Sequence, residues 1–335
     1  MPVETLSLII CTYRRPQAVT ALLVALRAQT HPPDEILVVD ASSAGDTAAA
    51  VAAAAWSPDR LRYLHAPPAQ RGLTRQRNYG IAHARGSIIA FLDDDTIPEP
   101  AYFAALLACF AAHPTAAGVG GLISNEVTWH PVTPGTPADH RTFRYHGWER
   151  REDYRWRLRR VLGLVSAYPP GWMPPSGHGR SVGFLPPDGG THRVEFLMGG
   201  VAAWRSTVFA QHQFSPYFAG YGLYEDLDFS VRVARRQPLY LCTQARVAHH
   251  HAAAGRPPAF RYGVMVVRNG WYVWRQRWPD PPRRAGRHWW AISLLLTGCR
   301  LGDVVRGPQR RQALAEALGR GWGMLCLLGR KPARV

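Results

Sequence analysis

The sequence predicts an α/β fold in which a mostly parallel sheet is flanked by helices and followed by a helical extension. Short apolar, β-branched runs alternate with segments of helical spacing from Leu6 to Ser124, which is typical of a doubly wound sheet. Polar residues end several of these runs, and such a sheet collects its functional groups at the carboxyl ends of its strands. With 335 residues and 47% hydrophobic content, the chain is long enough for this domain and for further segments.

The elements of the first part of the chain follow one another in a regular order. Strands are predicted at "LSLIICTY", "EILVVD", "LRYLHA", "SIIAFLDDD" and "GVGGLIS". Helices are predicted at "RPQAVTALLVALRAQT", Thr47–Ala55, "RNYGIAHAR" and "PAYFAALLACFAAH". Each helical segment follows a strand, so consecutive strands are expected to lie parallel in one sheet.

The pattern weakens between Asn125 and Thr191, which is rich in Pro, Gly, Trp and Arg and has helical spacing only at "RWRLRRVLGLV". Regularity returns with "VEFLMGGVAAWRSTVF", "EDLDFSVRVARR" and "LYLCTQARVAHHH". We therefore predict an α/β domain over residues 1–255, with an irregular insertion at 125–191 that is an acceptor side or lid, and a basic, aromatic helical extension over 256–335.

The net charge of +17 suggests an anionic partner: nucleic acid, a membrane surface or a phosphorylated substrate. From Arg256 to Val335 the chain has 16 basic against 3 acidic residues. Its apolar stretch "WWAISLLLTG" is too short to cross a hydrocarbon layer of about 30 Å. With "RRQALAEALGRGWGMLCLLGRK" it could contact an anionic membrane peripherally, or both segments could be helices packed on the α/β domain.

Cysteine usage and the start of the chain bear on its location. The five cysteines are far apart and form no CxxC pair, which indicates neither a zinc site nor a disulfide framework and favours a reducing compartment. The opening "MPVETLSLIICTYRRP" has no basic segment ahead of an apolar core, so no signal peptide is predicted. The location expected is cytoplasmic, with peripheral membrane contact as an option.

Three consecutive aspartates, Asp93, Asp94 and Asp95, follow the apolar strand "IIAFL". Carboxylates delivered to the end of a core strand require a compensating cation. Mg²⁺ and Mn²⁺ accept carboxylate oxygens and bind phosphates through their remaining positions, so a metal with a diphosphate is the favoured ligand set. Asp93 and Asp95 would share one side if the strand continued, although a turn here could redirect either one. The alternative is a solvated acidic turn that caps the next helix.

These motifs together resemble glycosyltransferase family 2, the inverting nucleotide-sugar enzymes of GT-A fold, from about Leu6 to His251. The resemblance rests on five elements in the family's order: "IICTYRRP", "ILVVDASS", the aspartate triplet after "GLTRQRNYGIAHARG", "FLMGG" with "YEDLDFSVRV", and "ARVAHHH". Many members have Asp or Asn directly after the aspartate of the second strand, where this chain has Ala41. That departure weakens inference about which base is bound.

The resemblance implies a role for individual residues. The metal, Mn²⁺ or Mg²⁺, is expected at Asp95 and His249, although the choice among His249, His250 and His251 stays open. Asp226 is the expected base for the acceptor hydroxyl, with Glu225 as the fallback. The nucleotide sugar is expected to contact Thr12, Tyr13, Arg15, Asp40, Arg71, Arg75, Asn78, Asp93, Asp94, Gly199 and Gly200.

Several of these residues also have a structural interpretation. "YEDLDFSVRVARR" suits an ordinary helix with acids in its first turn and arginines later. Arg71, Arg75 and the neighbouring Arg77 could grip a diphosphate or lie on a helix surface. Asn78 could be structural, and Gly199 and Gly200 could serve a tight turn as well as a close approach of substrate to the backbone.

The function predicted is metal-dependent, inverting transfer of a sugar from a nucleoside diphosphate to a hydroxyl of a glycan, polysaccharide or polyprenyl-linked acceptor in cell envelope synthesis. A relative that binds nucleotide sugars without turnover is the main alternative. Nucleic-acid binding is a weaker one, because the sequence contains no zinc-finger or RNP-type motif. A dinucleotide-dependent dehydrogenase is disfavoured, because "CTYRRP" lacks the glycines that such a cofactor requires.

Overall fold

The computed structural model describes residues 4–218, 220–251, 256–329 and 331–332. Its strands are β1 (Leu6–Thr12), β2 (Glu35–Asp40), β3 (Leu61–His65), β4 (Ile88–Asp93), β5 (Thr96–Pro98), β6 (Gly118–Ile123), β7 (His130–Pro131), β8 (Thr142–Tyr145), β9 (Trp148–Arg151), β10 (Thr191–Val194), β11 (Val201–Arg205) and β12 (Leu239–His249). Its α-helices are α1 (Pro16–Arg27), α2 (Asp46–Ala53), α3 (Leu73–His83), α4 (Tyr102–Ala112), α5 (Tyr154–Val161), α6 (Glu225–Val233), α7 (Ala259–Arg277), α8 (Arg283–Arg306) and α9 (Arg310–Gly329).

The chain forms two compact units, each built from two separate segments. The α/β unit contains residues 1–128 and 185–255, and the second unit contains residues 129–184 and 256–335. Most of the irregular stretch predicted as an insertion in the α/β domain therefore groups with the carboxyl-terminal extension. The cysteines are free.

The mixed α/β fold is confirmed, and its parallel part follows the predicted order. Strand β1 pairs in parallel with β2 and β4, and β2 pairs in parallel with β3. In this register Thr12 lies beside Asp40, and Cys11 lies beside Asp93. The polar residues that end these strands consequently meet at one edge of the sheet.

Burial on both faces explains why these strands are nearly continuous apolar runs. Leu8 and Ile10 of β1 are fully buried with Val38 of β2 and Leu92 of β4 in the hydrophobic core. Helices α1 and α4 supply the opposing apolar side chains, including the fully buried Phe103. The core thereby fixes the direction and register of the strands that carry the polar edge.

Helix α3 begins at Leu73, four residues before the predicted segment that starts at Arg77. Gly72 has a φ of 104°, and the Leu73 N–H donates to the Gly220 carbonyl at 3.1 Å. The residues of the first turn lack apolar periodicity, so hydrophobic spacing alone did not reveal where the helix begins. The glycine and its contact with the Gly220 backbone decide the start instead.

The other strands bring distant segments to the end of β4. Strand β11 lies antiparallel between β4 and β6, and the Asp93 N–H donates to the Gly200 carbonyl at 3.1 Å. Strand β12 runs parallel to β6 and antiparallel to the short β5, in a register that sets His249 opposite Thr96. The turn after β4 is therefore flanked by the start of β11 and the end of β12.

The second unit contains a small antiparallel sheet in the order β7-β9-β8, together with helices α5, α7, α8 and α9. Helices α7 and α9 approach each other closely through glycine. A Cβ on Gly263 would lie 2.1 Å from the Glu316 carbonyl oxygen, and one on Gly319 would lie 2.0 Å from the Phe260 carbonyl oxygen. Among the described residues no helix is both long and apolar enough to span a membrane.

The contact between α7 and α9 predicts opposite effects for two glycine substitutions in α9. Gly319→Ala should destabilise the protein by about 1–3 kcal/mol, because its methyl group overlaps a backbone carbonyl of α7. Gly321→Ala should stabilise it by up to about 1 kcal/mol, because a Cβ there would meet no atom of another described element within 4 Å and alanine favours a helix. Thermal unfolding of the two variants measures the difference, and equal shifts would contradict this packing.

Candidate active site

The aspartate triplet is split by the turn after β4. Asp94 is buried and accepts hydrogen bonds from the Thr12 hydroxyl at 2.7 Å and the Arg15 guanidinium at 2.9 Å. Burial raises the pKa of Asp94, and the contacts with Thr12 and Arg15 oppose that rise. Asp93 and Asp95 carry ligand atoms close to His249. Strand β4 ends at Asp93, and Asp94 and Asp95 lie in the turn that follows, so the turn rather than alternation along a continued strand brings Asp93 and Asp95 together.

The end of β12 holds His249 against this turn. The His249 Nε2 lies 3.1 Å from an Asp95 oxygen, and the His250 N–H donates to the Asp95 carbonyl at 2.9 Å. The Asn125 side chain bonds both the N–H and the carbonyl of His249, each at 2.9 Å. The hydrogen bonds that the backbone of His249 and His250 makes with Asn125 and Asp95 thus fix the position of this imidazole.

Glu126 lies on the far side of the same imidazole. Its Oε1 is 3.6 Å from Nδ1 of His249 and 2.6 Å from Nε2 of His251. The hydrogen bond with Asp95 and then the contact with the Glu126 carboxylate raise the pKa of His249 to about 10, and the contact with His249 lowers the pKa of Glu126. A carboxylate at Nδ1 directs the other nitrogen, Nε2, towards the aspartates.

The ligand atoms of Asp93, Asp95 and His249 lie within 4.8 Å of one another. Two carboxylates and one imidazole form a donor set that suits Mn²⁺ or Mg²⁺ and leaves other coordination positions for phosphate and water. The residues present therefore fit a divalent cation. Asp93, which the sequence suggested for the nucleotide sugar, belongs to this group together with the two predicted ligands.

Gly199 and Gly200 lie between this group and the start of α6. A Cβ on Gly200 would lie 2.1 Å from an Asp93 carboxylate oxygen, and one on Gly199 would lie 2.4 Å from the Arg77 guanidinium. The Gly199 N–H donates to Asp226 at 3.0 Å. The two glycines are needed here because the backbone packs directly on charged side chains.

The Arg77 side chain contacts acidic residues on both sides of Gly199 and Gly200. Its guanidinium forms an ion pair with Glu225 and lies 3.5 Å from Asp93, and it is buried against the rings of Phe91 and Phe214. Burial raises the pKa of Glu225, and the Arg77 guanidinium opposes that rise and favours the charged carboxylate. The acids raise the pKa of Arg77, which therefore stays charged.

Asp226 is better placed than Glu225 to meet a substrate. Glu225 is buried and paired with Arg77, whereas Asp226 is half-buried and accepts the N–H groups of Gly199 and Leu227, the latter at 2.7 Å. Burial raises the pKa of Asp226 above that of an ordinary aspartate, and its backbone hydrogen bonds oppose the rise. A partly exposed carboxylate with a raised pKa is suited to accept a proton.

The remaining predicted contact residues have different surroundings. Tyr13 is exposed at the end of β1, whereas Asp40 is completely buried. Both Asp40 oxygens accept bonds within the protein, one from the Ser42 hydroxyl at 2.6 Å and the other from the Tyr63 hydroxyl at 2.8 Å. A direct contact between Asp40 and a nucleotide stays a prediction.

Three residues of the segment before β4 were also assigned to the nucleotide sugar. Asn78 is engaged by the backbone of Phe214, whose carbonyl accepts at 2.9 Å and whose N–H donates at 3.0 Å. Arg75 is exposed, and the Nε of Arg71 is buried with no hydrogen-bond partner among the described residues. Their contact with a donor stays a prediction.

Two residues that stand out in the structure, Gln76 and Glu126, were not identified from the sequence. The Gln76 amide donates to the carbonyls of Thr12 and Val39 and links the ends of β1 and β2. Because Gln76 directly precedes Arg77, the sequence could have suggested that this turn of α3 faces the interior of the protein. Glu126 follows shortly after β6, at the start of the irregular segment, and no sequence pattern distinguishes it there.

The buried pair predicts that Arg77→Met will destabilise the protein strongly, by about 3–5 kcal/mol, because it leaves Glu225 buried without its cation. Arg75→Met, two residues away on the exposed side of α3, is the matched control and should change stability little. The double variant Arg77→Met/Glu225→Gln should recover much of the loss. Denaturant unfolding measures all three, and equal stability of the two single variants would contradict the proposed role of the pair.

Comparisons with known proteins agree with this geometry. The chain is 33% identical over 102 residues to EpsH of Bacillus subtilis (strain 168), which is assigned as a glycosyltransferase, and the match covers 30% of this chain and 29% of EpsH. It is 26% identical over 128 residues to a glucosyl-dolichyl phosphate glucuronosyltransferase of Haloferax volcanii, covering 35% and 37% of the two chains. The match thus spans about a third of each relative.

A solved structure extends the likeness to nearly the whole chain. The mannosyltransferase PcManGT from Pyrobaculum calidifontis, solved with GDP-Man and Mn²⁺, superposes with a TM-score of 0.55 at 17% identity, over 95% of this chain and 87% of that one. At this identity the likeness shows a shared GT-A fold. The family model described as Glycosyl transferase family 2 matches residues 7–164. Residues 7–164 are thus the part of the chain that is similar to glycosyltransferase family 2.

Proposed function

We propose that the protein is a metal-dependent, inverting glycosyltransferase that moves a sugar from a nucleoside diphosphate to an acceptor hydroxyl. The observation that carries the proposal is the meeting of two chemically different groups on either side of Gly199 and Gly200. Asp93, Asp95 and His249 form a cation-binding set on one side, and Asp226 presents a carboxylate on the other. Sugar transfer from a diphosphate requires both functions.

Asp93, Asp95 and His249 would hold the cation. When bound, a divalent ion supplies a counter-charge for the diphosphate as it departs. Arg15 lies 3.4 Å from an Asp95 oxygen and is half-buried, so its guanidinium adds positive charge to the same side of the site. Thr12 and Arg15 also hold Asp94 inward, which leaves the two outer aspartates directed towards His249.

Asp226 would accept the proton of the acceptor hydroxyl as that oxygen attacks the anomeric carbon. The N–H groups of Gly199 and Leu227 fix the orientation of this carboxylate. Attack from the face opposite the leaving diphosphate is a single displacement and inverts the anomeric configuration. Glu225 then acts through Arg77 and keeps the guanidinium in place beside Asp93.

The acceptor we propose is a lipid-linked glycan or a growing polysaccharide at the cytoplasmic face of a membrane. The basic, aromatic carboxyl-terminal helices support this assignment because they suit contact with anionic lipid. The relative from Haloferax volcanii is named for a dolichyl phosphate substrate. The alternative function, binding of nucleotide-sugar donors without turnover, differs from this proposal because it would form no glycosylated product.

The proposal predicts metal-dependent binding and turnover of a nucleotide sugar. A panel of UDP-, GDP- and dTDP-sugars should include at least one donor that raises the unfolding temperature with Mn²⁺ or Mg²⁺ present and is slowly hydrolysed. EDTA should abolish both effects, and added Mn²⁺ should restore them. Binding of no donor would refute the donor assignment, and binding without hydrolysis or transfer to any acceptor would favour the inactive alternative.

The two sides of the site predict different defects. Asp226→Asn should keep donor affinity within about twofold and lower the transfer rate by 10²–10⁴-fold, because general-base catalysis typically contributes that much. Asp95→Ala should weaken metal-dependent donor binding instead. Calorimetric titration with the donor and a transfer assay separate the two effects, and similar mild losses in both variants would contradict this division of roles.

A further inference from the structure

The outer face of helix α9 exposes a continuous apolar stripe. Its members are spaced by three or four residues and so lie on one side of the helix: Leu314, Leu318, Trp322, Leu325 and Leu328. The exposed fraction of each side chain lies between 43% and 73%. The stripe extends over about 21 Å at 1.5 Å per residue. Large aliphatic and aromatic side chains aligned in this way mark an interaction surface.

The opposite face of α9 is fully used within the second unit. Gly319 and Gly323 pack on the backbone and side chains of α7, and Ala313, Ala317 and Leu327 are buried. The stripe is therefore not an element of the core that happens to lie near the surface. It is the side of an anchored helix that the described part of the unit leaves uncovered.

The charges around the stripe are positive. Arg306 precedes the helix, and Arg310 and Arg311 begin it; all three are exposed. Glu316 is the acidic residue in the sequence of α9, and it is buried between Arg300 at 2.9 Å and Arg320 at 2.7 Å. The exposed face of the helix thus combines apolar side chains with cations and presents no carboxylate.

We propose that this face of α9 lies in the interface of an anionic lipid membrane. Leucine side chains would enter the acyl boundary, Trp322 would lie at the level of the headgroups, and the arginines would contact lipid phosphates. A second copy of the chain is the competing occupant. A dimer with parallel α9 helices would bring the exposed arginines of both copies together, and like charges oppose that arrangement. The inference does not depend on the proposed sugar transfer.

The test compares binding of the full-length protein to phosphatidylcholine vesicles with and without phosphatidylglycerol, by co-sedimentation. The protein should bind the anionic vesicles at least about tenfold more tightly, and added salt should weaken the binding. Replacing three residues of the stripe, Leu318→Ser/Trp322→Ser/Leu325→Ser, should reduce binding by tenfold or more. Arg310→Gln/Arg311→Gln should reduce binding only to the anionic vesicles.

Val161→Ser on α5 is the matched control, because this apolar side chain belongs to the same unit, is 84% exposed and lies outside the stripe. It should bind vesicles like the unaltered protein. Unchanged thermal unfolding establishes that each variant folds. Full vesicle binding by the stripe variant would overturn the proposal. So would light scattering that shows a dimer in the unaltered protein and a monomer in that variant, with no vesicle binding by either.

Discussion

The buried Arg77 guanidinium is the charge on which the arrangement of acids depends. Glu225 is removed from solvent almost entirely, and Asp93 and Asp226 add further negative charge nearby. Carboxylates in such surroundings become protonated or move apart unless a cation compensates them. Arg77 packs against the rings of Phe91 and Phe214, and its charge lies where Glu225 and Asp93 require it.

This arrangement gives neighbouring carboxylates different environments. Asp94 is held inward by Thr12 and Arg15, Asp93 and Asp95 converge with His249, and Asp226 is oriented by backbone N–H groups. Different surroundings allow the same chemical group to bind a cation in one place and accept a proton in another. Gly199 and Gly200 separate the two functions with a length of backbone that leaves no room for side chains.

The sequence predicted the parallel strands well because each is an apolar run that ends in a polar residue. It predicted that Asp93 and Asp95 would share one side if the strand continued. The strand ends at Asp93 instead, and the turn after it brings the two carboxylates together. The pairing of Arg77 with Glu225 could not be derived in this way, because 148 positions separate the two residues. The start of α3 was missed because Gly72 and a backbone contact with Gly220 decide it, rather than hydrophobic periodicity. Glu126 was missed because its side-chain partner His251 lies 125 positions away in the sequence.

The division of the chain into interleaved segments has a consequence for the order in which the protein folds. The α/β unit is complete once β12 has been synthesised, but residues 129–184 belong with helices that are made later. Tyr154 bonds Asp303, and Trp274 bonds the Pro175 carbonyl, so this early segment has to wait for α7 and α8. During synthesis on the ribosome Tyr154 and the Pro175 carbonyl are without these partners, and a nascent chain with such incomplete packing is exposed to aggregation.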